Sequence, residues 1–69
     1  MDKIQKKKKQ ILEFLKRGEK TASEISIYAG LNYYKILDLL NELIKEGEIE
    51  LINFRSKKYY KLKEKKDER

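Results

Sequence analysis

The sequence contains no cysteine, histidine, tryptophan or proline. Without Cys there is no disulfide framework, and without Cys or His there is no zinc finger and no thiolate or imidazole metal site. The same gap removes the commonest general base and the strongest nucleophile. The carboxylates and hydroxyls that remain show no spacing that suggests a catalytic pair. The chain therefore reads as a non-enzyme that needs no metal and no cofactor. Long apolar runs are missing as well, and none approaches the roughly 20 residues of a membrane span. The basic N-terminus is not followed by an apolar segment, so it does not read as a signal peptide. These absences point to a soluble, cytoplasmic chain.

What is present is charge. Charged residues make up 43% of the 69 positions, mostly Lys and Glu. Lys/Glu enrichment with few thermolabile residues is a thermophile-like pattern, although an AT-rich genome gives the same bias. The net charge of +6 is unevenly placed. Up to Lys20 there are eight basic and three acidic residues; from Thr21 to Phe54 there are two and six; from Arg55 onward there are again eight and three. Two basic ends flanking an acidic middle suggest a polyanionic partner met by particular surfaces.

The length suits a single domain over 1–69, with an ordered core expected at about 8–62 between a basic lead-in and a charged tail. Ile4, Ile11, Leu12 and Leu15 fall near helical spacing, and Gly18 follows as a C-cap. Lys6 to Lys9 replace one turn of that stripe with charge, so the first helix is expected from about Lys8. The lysine run reads as a solvated segment, a nucleic-acid-binding arm or a membrane-surface segment, the last disfavoured because no aromatic or apolar face accompanies the charge.

Thr21-Ala22-Ser23-Glu24 is a capping box that opens a second helix ending near Gly30. Asn32 is the next N-cap, and a third helix is expected from Tyr33 to Glu46 on the stripe Ile36, Leu40, Leu43, closed by Gly47. Beyond Gly47 the apolar period becomes alternating. Ile49 and Leu51 share one strand face, and Tyr60 and Leu62 share a face of a second strand. A turn is expected within Asn53 to Lys57, without the Asn-Gly or Asp-Gly signal of a tight hairpin. Ile52, Phe54 and Tyr59 form an apolar outer face. The fold class is mainly α with a small β-hairpin: three helices plus a two-stranded wing.

Two helices joined by a Gly-containing turn, followed by a basic hairpin, is the helix-turn-helix plan with a wing. The chain resembles the winged helix-turn-helix transcription regulators of the MarR and ArsR type. The resemblance is carried by Thr21-Ala22-Ser23-Glu24-Ile25, Ala29-Gly30-Leu31-Asn32, the run Leu40-x-x-Leu43-x-x-x-Gly47-x-Ile49, and Lys58-Tyr59-Tyr60-Lys61-Leu62. It extends from about Ile11 to Leu62. A branch of the same fold that binds left-handed DNA uses Asn and Tyr in the recognition helix with a Pro-Pro-x-Trp wing. Here Leu37 and Asn41 stand at those helix positions, and Pro and Trp are absent.

The resemblance implies double-stranded DNA as partner, with the third helix as recognition helix. Asn32, Tyr33, Tyr34 and Lys35 would then face the major groove. Arg55, Ser56, Lys57 and Lys58 would sit at the wing tip against backbone or minor groove, and Thr21 and Ser23 would contact phosphate. Asp38 and Glu42 depart from the family's usual basic residues and restrict close approach to the first turn of the helix. A homodimer is also implied. Its seam would have to come from the first helix, the tail or the outer hairpin face, because the long extra helix of many dimeric relatives is missing. No small-molecule effector is implied. The rival reading is a protein-interaction subunit that docks a partner through the acidic third helix or the outer hairpin face.

Overall fold

The computed structural model of the chain describes residues 3–63. Three helices, α1 (Lys3–Leu15), α2 (Ala22–Ala29) and α3 (Tyr33–Lys45), precede two strands, β1 (Ile49–Phe54) and β2 (Lys57–Leu62). Asp2, which could cap the first helix by its residue type, and the charged tail from residue 64 lie outside the described residues.

The first helix begins at Lys3 rather than at about Lys8. Ile4, Lys8, Ile11 and Leu15 stand at i, i+4, i+7 and i+11, so Lys8 occupies the turn of the apolar stripe that seemed interrupted. Its side chain is 6% exposed. A lysine tolerates such a position when its stem packs and its ammonium finds partners. The Lys8 Nζ lies 2.9 Å from Glu42 Oε1 and 2.8 Å from Glu46 Oε2, joining α1 to α3. The neighbouring Lys7 Nζ donates to the Ala29 carbonyl at 2.7 Å, at the C-terminus of α2. Lys7 and Lys8 are therefore part of the packed structure, while Lys6 and Lys9 are exposed.

Helix α2 starts on the expected capping box. The Glu24 N–H donates to Thr21 Oγ1 at 3.2 Å, and the Thr21 N–H donates to Glu24 Oε1 at 2.9 Å. It ends at Gly30, whose left-handed φ of 70° lets its N–H turn back to the Ser26 carbonyl. Two residues later Asn32 caps α3 by accepting the Lys35 N–H on Oδ1 at 2.9 Å. Ile36, Leu40 and Leu43 then project into the core beside Ile11, Leu15, Ile25, Ile49 and Tyr60.

The strands pair antiparallel with Ile49 opposite Leu62, Leu51 opposite Tyr60 and Ile52 opposite Tyr59. A single bridge adds Lys20 to the far edge of β2: its N–H donates to the Tyr60 carbonyl and its carbonyl accepts the Tyr60 N–H. That bridge anchors the hairpin to the helices and keeps Tyr60 in the core. Leu51, expected to share a strand face with Ile49, is exposed although its cross-strand partner Tyr60 is buried.

The turn is tighter than expected, consisting of Arg55 and Ser56 alone between Phe54 and Lys57. Both have positive φ, 51° and 67°, as a type I′ turn requires. Neither side chain favours that region. Ser56→Gly should therefore stabilise the protein by about 0.5–1 kcal/mol. The check is a rise in the urea midpoint at constant m-value; an unchanged or lower midpoint would contradict the turn geometry.

Candidate nucleic-acid interface

The N-terminus of α2, the first half of α3 and the hairpin enclose one open groove. It is lined by Thr21, Ala22, Ser23, Tyr33, Leu37, Ser56, Lys57, Lys58 and Tyr60. Each element delivers its residues for a local reason. The capping box fixes Thr21 and Ser23 at the start of α2, helical spacing puts Tyr33 and Leu37 one turn apart on one flank of α3, and the tight turn brings Ser56 to Lys58 over them.

The structure thus gathers Thr21, Ser23, Tyr33, Ser56, Lys57 and Lys58 and leaves the remaining candidates elsewhere. Asn32 Oδ1 accepts the Lys35 N–H as the α3 cap, so a base would have to share that oxygen with the helix. Tyr34, 78% exposed, stands clear of the groove, its ring at a right-angle contact of 6.0 Å with Tyr33. Arg55 lies over the Phe54 ring at 5.3 Å, at the hairpin tip. Lys35 points to the other flank of α3, into a cleft shared with Lys3, Ile4, Lys7, Leu31, Asp38, Leu39 and Glu42.

The electrostatics of α3 differ from those its sequence suggests. Glu42 and Glu46 share the Lys8 ammonium, which offsets one of their two negative charges. Those hydrogen bonds, first from Glu46 and then from Glu42, raise the Lys8 ammonium above the ordinary 10.5. Burial chiefly, with the nearby Tyr33 second, raises the Tyr60 hydroxyl above 10.0. Both groups hold their protons more tightly folded than unfolded. Their contribution is complete below about pH 10 and declines as pH rises through the folded values. The urea midpoint should therefore stay level from about pH 7 to 9 and fall above about pH 10; a level midpoint through about pH 11 would contradict this pairing.

No family model and no curated protein matches the chain. Its fold is similar to the solution NMR structure of a homodimeric winged helix-turn-helix DNA-binding domain from Mycobacterium bovis, described as a possible ArsR-family transcriptional regulator. The TM-score is 0.77 and the sequence identity 27%, over 81% of this chain and 52% of that one. The present chain has the winged helix-turn-helix fold. It spans about half the length of the chain it matches.

In this winged helix, α2, the Gly30–Asn32 turn and α3 form the helix-turn-helix, and β1 with β2 forms the wing. The groove lies between α3 and the wing. Sequence reasoning missed Leu37 and Tyr60 as residues that line this groove, and Lys8 as the residue that ties α1 to α3. Lys8 had a signal, since it completes the helical register of Ile4, Ile11 and Leu15. Among the described residues no helix is long and apolar enough to cross a membrane, and no group of acidic side chains could hold a metal ion.

Proposed function

We propose that the chain binds double-stranded DNA as a cytoplasmic, non-catalytic regulatory module, with α3 entering the major groove and the wing following the adjacent backbone. The observation that carries this reading is the groove itself: two wing lysines, Lys57 and Lys58, line it with the hydroxyl-bearing Ser23 and Tyr33 and with Thr21, whose Oγ1 also serves the α2 cap. Lysines supply the phosphate charge, and Ser, Thr and Tyr hydroxyls are ordinary phosphate ligands. The Lys8 ammonium offsets one of the two negative charges of Glu42 and Glu46, which lessens the repulsion between α3 and a phosphate backbone. The similar domain is described as DNA-binding and homodimeric; by analogy two copies of this chain would bind together, each presenting one α3.

The test is a titration of labelled mixed-sequence duplex at two salt concentrations. The expected non-specific Kd is about 10⁻⁴ to 10⁻⁶ M at physiological salt, tightening steeply as salt is lowered. Absence of binding at low salt, or binding indifferent to salt, would sink the reading. The apolar outer wing face supports a second reading as a protein-docking module. Ile52, Phe54 and Tyr59 line one shallow depression there with Glu19.

A further inference from the structure

A helix lying in the major groove has a phosphate backbone on each side of it. The wing serves one flank of α3. The other flank carries Lys35, and the cleft beside it is completed by Lys3 and Lys7 from α1. Helical spacing places Lys3, Lys6, Lys7 and Gln10 on one face of α1, where they line a second depression bordering the cleft. Among the described residues only Lys7 of these lysines is engaged, with a single bond to the Ala29 carbonyl, and its ammonium keeps two further donors.

The carboxylates that would oppose this basic face are partly answered. Glu42 lines the same cleft, but both it and Glu46 are held by Lys8. Asp38 is the one acidic side chain of the cleft without such a partner among the described residues. Lys8 therefore acts as a positioning residue. It binds α1 against α3, sets Lys3 and Lys7 beside Lys35, and offsets one of the two carboxylate charges that would repel a polyanion.

We propose that Lys3, Lys6, Lys7 and Lys35 form a second phosphate-binding flank, gripping the DNA backbone on the side of α3 opposite the wing. This rests on the reading of α3 and the wing as the DNA-binding face, and adds to it a clamp with two arms. The lysine run of α1 thereby divides by helical phase, with Lys8 holding the fold and its neighbours holding the ligand.

The experiment compares four full-length proteins on the same labelled duplex across a salt series: the wild type, Lys3→Glu with Lys6→Glu, Lys16→Glu with Arg17→Glu, and Lys57→Glu with Lys58→Glu. Lys16 and Arg17 lie just past the far end of α1, so their reversal changes net charge equally without touching the flank. Urea unfolding of each protein confirms that it is folded. The flank variant should bind about tenfold or more weakly than wild type, with a salt slope shallower by about 2, while the Lys16/Arg17 variant keeps the wild-type slope. Equal losses in the Lys16/Arg17 and flank variants would assign the effect to net charge and overturn the proposal. Wild-type affinity in the flank variant, with binding lost in the wing variant, would overturn the flank and leave the wing reading standing. No binding by the wild type would overturn both.

Discussion

Leu40→Ala is expected to leave most of the protein unfolded at 37 °C. Leu40 is completely buried in the middle of α3, in the cluster that includes Ile11, Ile25, Ile36, Leu43 and Ile49. Truncating such a side chain removes its transfer free energy and leaves a cavity, costing about 2–5 kcal/mol. A core built from so short a chain rarely supplies more than about 3–5 kcal/mol in total. The chain has no cysteine for a disulfide that could offset the loss. Ile27 on α2 gives the contrast. It is 82% exposed, and Ile27→Ala should change stability by no more than about 0.5 kcal/mol. Urea unfolding followed by circular dichroism measures both. A cooperatively folded Leu40→Ala protein within about 1 kcal/mol of wild type would contradict the core described here.

The residues in that prediction were legible in the sequence, and the reason is local. Ile36, Leu40 and Leu43 recur at helical spacing, and Thr21, Glu24 and Asn32 announce their helix starts within three or four residues of chain. Information of that range survives in one sequence read alone. Lys8 was not legible as a structural residue because its partners, Glu42 and Glu46, are more than 30 positions away. Nothing local distinguishes it from the three lysines beside it except helical phase. The turn was blurred for a different reason. Arg55 and Ser56 take left-handed conformations that their side chains disfavour, so pairing along Ile52–Tyr59 and its neighbours, more than turn chemistry, sets where the chain reverses.

The candidate site was legible in its parts and less so in its assembly. Thr21, Ser23, Tyr33, Ser56, Lys57 and Lys58 share a groove, but Asn32, Tyr34, Lys35 and Arg55 do not line it. Their removal follows from geometry that sequence does not display. The phase of α3 sends Lys35 to the flank that meets α1, and the orientation of α3 against the core decides which flank meets the wing. Asn32 serves the helix cap, so the residue best suited to adenine by chemistry is the one least available by position.

The wing is where charge matters most to the proposed function. Lys57→Glu with Lys58→Glu should weaken duplex binding by about 100-fold or more and reduce the salt slope by about 2. Both lysines are exposed and make no ion pair among the described residues, so folding should be nearly unaffected. Their cross-strand partners are Phe54 and Asn53, neither of which requires a positive neighbour. Reversal does two things at once, removing phosphate contacts and adding repulsion. Lys57→Gln with Lys58→Gln separates them: the slope should fall by the same amount while the affinity loss is smaller, because the contacts vanish without the repulsion. If the outer wing face instead docks a protein, Ile52, Phe54 and Tyr59 survive both substitutions, and partner capture should persist where duplex binding is lost. Unchanged duplex affinity in both variants would remove the wing from the interface and leave α3 without the arm that this groove supplies.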